Sequence, residues 1–288
     1  MILISKIGLG TVQFGMPYGI SNLRGQTSPE EAWSILEAAS DAGIDLLDTA
    51  SAYGTAEKVL GESGLTGFRV VSKYMPPTDG AAIREQLEQS LDLLYLDRLY
   101  GYLAHRPETL MENPGQWEEL LSLREERLVK KIGYSLNRPE ELEQLLEEGF
   151  VPDLVQIPYN YFDRRFQPWF PLLKKQGCEI HVRSVFLQGL FFMHPEELGS
   201  HFDPVKPILL RLRKNIPGLA AALLGFALRQ PMIDRVIVGV ETVSQLQEHM
   251  EAASSIDSSR SPLPKLRVEL PEEILMPSLW PPAKSGSA

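Results

Sequence analysis

The chain has 288 residues, 43% of them hydrophobic, and a formal net charge of −10. That length builds a sizeable core and suits one α/β barrel domain as well as two smaller domains. The acidic balance argues against a nucleic-acid partner, and the single cysteine, Cys178, excludes an intramolecular disulfide and favours a reducing, cytoplasmic setting.

The opening MILISKIGLG lacks the apolar core of a signal peptide. Short runs rich in Val, Ile and Leu then alternate with longer segments of helical spacing. The runs predict strands at 5–11 (SKIGLGT), 44–50 (IDLLDTA), 69–74 (RVVSKY) and 98–105 (RLYGYLAH). Four more follow at 129–135 (VKKIGYS), 154–160 (LVQIPYN), 179–185 (EIHVRSV) and 235–241 (RVIVGVE). Between them, Ser28-Pro29-Glu30-Glu31 reads as a capping box with proline at the first helical position. Leu87, Leu91 and Leu94 share one face of a helix over 84–95. A further helix starts at Asn137 and ends at Gly149, a residue suited to a left-handed C-cap. The most apolar window, 219–228, is about half the length that spans a bilayer, so no membrane partner is expected.

Eight strands alternating with helices predict an α/β fold of the (β/α)8 TIM-barrel type, with an open doubly wound sheet as the rival. Residues 1–288 are expected to form one domain. The Pro- and Ser-rich tail, about 254–288, is expected to run over the surface and to end in a disordered AKSGSA. Gly8-Leu9-Gly10 is no dinucleotide fingerprint, because the third glycine falls at 15 and not 13. It reads as a close-packed first strand.

A barrel of this kind places chemistry at the C-terminal ends of its strands. Those positions hold Thr11, Asp48, Lys73, His105, Ser135, Gln156 with Asn160, Arg183 with Ser184, and 239–241. Each has a plain structural explanation, such as a helix cap, a snorkelling lysine or a satisfied core histidine. Jointly, an acid, a lysine and a histidine on three successive strands converge on one mouth. An ammonium beside a phenol favours phenolate, and such a phenol exchanges a proton near neutral pH. With a histidine to orient a carbonyl oxygen, the group suits carbonyl/alcohol interconversion, which then needs a hydride donor.

At these residues the sequence resembles the aldo-keto reductase superfamily. GLGTVQFG (8–15), DTASAYG (48–54), VSK (71–73), LAHRP (103–107), IGYS (132–135), QIPYN (156–160), RSVFLQGL (183–190) and IVGVETVSQLQE (237–248) follow the family's order. The resemblance spans roughly residues 3–253. It implies a (β/α)8 barrel that reduces a small carbonyl compound or oxidises the matching alcohol or sugar, with NADP, or NAD in its place, and no metal. It implies that Tyr53 is the proton donor, Lys73 promotes its ionisation, Asp48 holds Lys73, and His105 orients the carbonyl. Ser135 and Gln156 would meet the nicotinamide carboxamide. Arg183 stands where many members stack an aromatic on the nicotinamide, and a planar guanidinium also stacks. Ser184 and the loop to Leu190, with Gln188, would approach the pyrophosphate. Thr11, Gly239 and Gln245 complete the cofactor-binding set.

Two positions depart from the family pattern. The fifth strand ends Ser135-Leu136 where the family has serine-asparagine. Gly239, Gln245 and His249 stand near where many NADP-dependent members carry Lys or Arg for the 2′-phosphate. The long loop 14–28 predicts a substrate pocket lined by Tyr18 and Trp169, with ordinary surface packing of both residues as the alternative. His181 is read as core packing rather than a metal ligand. A catalytically silent NAD(P)-binding barrel, used for sensing or assembly, is the alternative function. A metal-dependent barrel hydrolase or lyase is a third, without a ligand motif to support it. Oligomeric state leaves no trace in the sequence.

Overall fold

A computed structural model describes residues 3–77, 82–256 and 262–281. β1 (Ile7–Gly10) leads into one helical turn, α1 (Val12–Gly15), and then α2 (Pro29–Asp41). β2 (Leu46–Asp48) precedes α3 (Ala56–Ser63), and β3 (Arg69–Tyr74) precedes α4 (Ile83–Leu94). After β4 (Leu99–Ala104) come α5 (Glu108–Glu112) and α6 (Gly115–Glu125), and after β5 (Val129–Ser135) comes α7 (Pro139–Glu147). β6 (Leu154–Pro158) is followed by α8 (Phe170–Lys175), and β7 (Glu179–Arg183) by α9 (Lys206–Asn215) and α10 (Leu219–Leu228). β8 (Arg235–Gly239) ends in α11 (Val243–Ser254), and a last turn, α12 (Glu272–Leu275), lies in the tail.

The eight strands close in sequence order, β1 to β8 and back to β1, with every pair parallel. Strand side chains alternate between the barrel interior and the helix layer. Leu46, Val71, Leu103, Leu154 and Ile237 form the apolar plug of the interior. Two residues further along the same five strands stand Asp48, Lys73, His105, Gln156 and Gly239. The period of two therefore stacks one polar layer directly above one apolar layer. Gly8 gives the plug room, since a Cβ there would lie 2.7 Å from Ile237.

The strands are shorter than the apolar runs suggest. Thr11, His105, Asn160, Ser184 and Glu241 fall just beyond strand ends, because hydrogen-bonded pairing stops where the chain turns towards its helix. Ser28 accepts from the Glu31 amide, but Glu31 does not complete a capping box. Its carboxylate instead accepts from Val243 N at 2.9 Å, joining α2 to the start of α11. The helix expected from Asn137 begins at Pro139, and Glu141 caps it by accepting from the amides of Asn137 and Arg138.

The tail does not simply run over the surface. Leu263, Leu266, Ile274 and Leu275 are buried in a second apolar cluster with Leu209 and Leu212 of α9 and with Leu187, Leu190 and Phe191 after β7. Glu272 adds ion pairs to Arg138 at 2.7 Å and Arg165 at 3.1 Å. An amphipathic pattern interrupted by prolines is hard to distinguish from a loop in sequence, and here the prolines only divide it into short turns. AKSGSA lies outside the described residues.

Candidate active site

Asp48 closes β2 with its carboxylate buried in the barrel mouth. Lys73, two residues above the Val71 plug, is wholly buried and spends its three ammonium protons on three acceptors. Nζ lies 2.8 Å from Asp48 Oδ2, 2.8 Å from Thr49 O and 3.4 Å from Tyr53 Oη. Burial alone would lower the Lys73 pKa, but the charge and hydrogen bonds of Asp48 and Tyr53 outweigh it, and the pKa rises. The lysine is therefore a fixed cation in a dry site. Asp48 has a second partner that its sequence context does not reveal. Gln156 Nε2 donates to Asp48 Oδ1 at 2.6 Å. Because a carboxylate only accepts, this contact also fixes which end of the amide faces Asp48.

Tyr53 reaches this cluster from the turn after β2. Ser51 donates its amide and its hydroxyl to Lys73 O, both at 3.1 Å, which ties the turn to β3. The turn then lies against the end of α1 too closely for any side chain. A Cβ on Gly15 would fall 1.7 Å from Tyr53 O, and one on Gly54, whose φ is +56°, would fall 2.3 Å from Gly15 O. Two glycines thus fix the height of the phenol. Behind them Glu57 of α3 is buried and accepts from Ser72 at 2.6 Å and Ser90 at 3.2 Å, locking α3 to β3 and α4.

His105 stands just past β4 and meets the Tyr53 ring edge to face, with centroids 5.7 Å apart. Burial first, then the positive charges of Lys73, Arg183 and Arg106, push its pKa down to about 3. The imidazole is therefore neutral at ordinary pH, and its buried Nδ1 has no hydrogen-bond partner among the described residues.

A cavity of about 410 Å³ begins at Asp48 and Tyr53 and runs between the β7 and β8 loops to Glu248 and His249. Among the expected residues, Thr11, Tyr18, Arg183, Ser184, Gln188, Gly239 and Gln245 also line it. Ser135 and Gln156, paired in register at the ends of β5 and β6, are buried and do not. Trp169, the last residue of the turn 167–169 before α8, packs partly buried against the outer core and does not line this cavity.

The β7 loop has three non-glycine residues in the left-handed region, Ser184, Leu187 and Gln188. Such backbone persists only when its surroundings hold it. Here Asn160 Nδ2 donates to Ser184 O at 3.0 Å, Ile20 N donates to Gln188 O at 3.1 Å, and Gln188 Nε2 donates to Tyr18 Oη at 2.9 Å. The loop after β1 and the loop after β7 thus meet across the cavity. Glu241, from the strand-end stretch 239–241, also lines it, as do Gln13 and Glu248, which the strand-end reading does not include. Gln13 follows the motif GLGT on a single helical turn, too short to show a period. His181 is buried inside the barrel and bonded to Glu179 at 3.0 Å. Among the described residues no group of three His, Cys, Asp or Glu side chains is placed to hold a metal, and no helix is long and apolar enough to cross a membrane.

Comparison with known proteins decides the family, for residues 6–260 match the model of the aldo/keto reductase family. The chain belongs to that family. It is accordingly an NAD(P)-dependent oxidoreductase. Among curated relatives, the uncharacterised oxidoreductase YqkF of Bacillus subtilis is 24% identical, with 88% of each chain covered. A D-threo-aldose 1-dehydrogenase of Pseudomonas sp. is 27% identical, covering 88% of this chain and 90% of its own. Among solved structures, the holo form of a Bacillus halodurans aldo-keto reductase superposes with a TM-score of 0.69 at 22% identity, over 87% of both chains. A Klebsiella pneumoniae aldo-keto reductase in complex with NADPH gives 0.65 at 22% identity, over 92% of this chain and 94% of the other. At such identity these likenesses bear on the fold, which is the (β/α)8 barrel.

Proposed function

We propose that this reductase converts an aldehyde or ketone to its alcohol, or runs the reverse on an alcohol or sugar, with Tyr53 as the proton donor and acceptor. The observation that carries the reading is the chain of contacts from Gln156 through Asp48 and Lys73 to a phenol that opens onto the cavity. Lys73, held protonated, stabilises the phenolate left after Tyr53 gives up its proton. Asp48 and Gln156 hold Lys73 in place. Neutral His105 donates one N–H to the carbonyl oxygen and so fixes its position beside the phenol.

The cavity suits a dinucleotide. Its volume is that of a small-molecule site, and two buried polar atoms on its wall, Gln13 Oε1 and His249 Nδ1, have no partner among the described residues. NADP(H) is the proposed cofactor, as in the Klebsiella structures, with NAD(H) as the alternative. When bound, it supplies or accepts the hydride. Thr11, Ser184, Gln188, Gly239 and Gln245 would hold it along the cavity. Ser135 and the free Gln156 Oε1 are the groups left beneath for its carboxamide. Tyr18 and the loop 14–28 would shape the substrate side.

The test is oxidation of NADPH and NADH with a panel of aldehydes and sugars, run beside Tyr53→Phe. Turnover that disappears in the variant while cofactor affinity stays supports the reading. Cofactor binding without turnover of any substrate by the wild type would replace it with a silent binding barrel.

A further inference from the structure

We infer that the carbonyl substrate carries an anionic group, a carboxylate or a phosphate, and that Arg183 recognises it. The inference rests on the reductase reading above and narrows its substrate class. Arg183 ends β7 on the cavity wall that also holds Asp48, Tyr53 and Tyr18. Its guanidinium is held by neutral acceptors only. Nη2 donates to Leu136 O at 2.9 Å and to Asn137 Oδ1 at 2.6 Å, and Nη1 donates to Ser184 Oγ at 3.3 Å.

No carboxylate among the described residues pairs with it, although the other cations of the barrel interior are paired. Lys73 has Asp48, Lys131 has Glu179, and Arg69 and Arg235 share Asp45. An arginine carries five N–H donors. The three contacts leave Nε–H and one Nη1–H without an acceptor among the described residues. A half-buried guanidinium stripped of a counter-ion is costly unless an anion arrives to complete it. Arg106, exposed one residue beyond His105, adds a second cation at the same mouth and also lacks an ion pair among the described residues.

The wider charge distribution sharpens the point. The chain is acidic overall, at −10, and the far end of the cavity is acidic too, with Glu241 and Glu248. Positive charge is concentrated at the end where Tyr53 opens. Within a cavity of mixed sign, a local positive end draws the anionic part of a ligand to itself. Arg183 can serve cofactor and substrate together, because a guanidinium recognises a ring with its face and a carboxylate with its edge. Leu136 O and Asn137 Oδ1 take both Nη2 protons and fix the group, so an anion meets it through a single remaining N–H. Arg183 is thus a specificity residue, and proton transfer stays with Tyr53.

The test uses a matched pair, 4-carboxybenzaldehyde and benzaldehyde, with NADPH and with NADH. Wild type should favour the carboxylate in kcat/KM by about 10- to 100-fold, the worth of a charge-assisted hydrogen bond, mostly through KM. Arg183→Gln should erase that ratio, whatever common loss both aldehydes suffer from the missing ring contact, while Arg183→Lys restores part of the ratio. Thermal unfolding checks that each variant is folded. Calorimetric titration of benzoate into the NADP-loaded protein reads the same site without turnover, and Arg183→Gln should lose that binding. Equal turnover of both aldehydes by wild type overturns the inference, as does a variant that weakens both aldehydes alike or loses only cofactor affinity. Benzoate binding through Arg183 with neither aldehyde reduced would keep the anion site and defeat the reductase reading instead.

Discussion

Both ends of the barrel hold a carboxylate paired with a lysine, Asp48 buried and Glu179 partly so, and only one of them is built for chemistry. At the N-terminal end, Glu179 accepts from Tyr100 at 2.8 Å, Lys131 at 3.0 Å and His181 at 3.0 Å, and Arg69 lies over the Tyr100 ring. The donors all point at one carboxylate, which opens onto no cavity described above. At the C-terminal end, Asp48 also binds a lysine and a neutral donor. There the lysine's last contact is the longest, 3.4 Å, and it goes to a phenol on a cavity wall. Among the described residues Gln156 Oε1 and His105 Nδ1 are left buried without partners, and at the N-terminal end so is His181 Nδ1. What separates the ends is therefore access and not saturation. A charge cluster beside open space can bind and react, and one closed away from it holds the fold together.

The largest expected effect separates the ends at once. Tyr53→Phe should lower kcat by about 10²- to 10⁴-fold, the usual worth of a positioned acid, with little change in thermal unfolding. Asp48→Asn comes next. It keeps the shape but removes the charge that fixes Lys73, so kcat should fall by about 10- to 100-fold with cofactor affinity largely kept. A fully active Asp48→Asn enzyme would break the comparison from the top. Glu179→Gln should do the reverse, costing about 1–3 kcal/mol in a urea melt and leaving kcat/KM near wild type. A well-folded Glu179→Gln protein without activity would break it from the bottom.

Much of this contrast was legible in the sequence, because the interior follows a period of two. The runs Leu46-x-Asp48, Val71-x-Lys73, Leu103-x-His105 and Leu154-x-Gln156 each place a polar residue one layer above an apolar one. That pattern yields the barrel, the mouth and the Asp48–Lys73 pair. It does not yield partners, which depend on the stagger of strands far apart in the chain. Gln156 meets Asp48 across 108 positions, and its own strand gives no sign of it. Trp169 shows the same limit. A loop residue beyond a strand can turn to the cavity or to the helix layer, and only the packing of α8 decides. The buried tail escaped notice because its apolar residues are spaced by prolines rather than by a helical period.

Acid should take the two ends apart in order. Burial pushes the pKa of His105 down to about 3 and that of His249 down to about 4. An unfolded histidine titrates near 6.5, so below that value the unfolded chain binds protons that the folded one refuses. The stability these groups contribute is complete above about pH 6.5 and is lost as pH falls towards 4. Burial would raise the pKa of Glu179, but His181, Tyr100 and Lys131 more than reverse it and hold it low. Its contribution is therefore present above the unfolded carboxylate pKa, about 4.3, and is lost only below that. Hydrogen exchange at pH 5 should show weakened protection around 105–110 and 243–254 while β7 near Glu179 stays protected. Uniform loss along the barrel would count against separate ends.

The smallest effect concerns the far end of the cavity, where the top of the barrel turns acidic. A 2′-phosphate is gripped best by a guanidinium or an ammonium, yet the lining there is Glu241, Gln245, Glu248 and His249. The α11 N-terminus, a ready anion site in other settings, is already taken. Thr242 Oγ1 accepts from Gln245 N at 3.2 Å, and Glu31 accepts from Val243 N at 2.9 Å. Exposed Arg24 is the one cation whose charge bears on Glu241. The phosphate should therefore add little, and the Kd values of NADPH and NADH should differ by less than about tenfold, or about 1.4 kcal/mol. Fluorescence titration of both cofactors checks this, with Arg24→Ala alongside. A preference of a hundredfold or more for NADPH that vanishes in Arg24→Ala would show that this loop swings in to supply the missing cation. Selectivity would then reside in a mobile contact from the loop after β1, and not in the wall of the cavity.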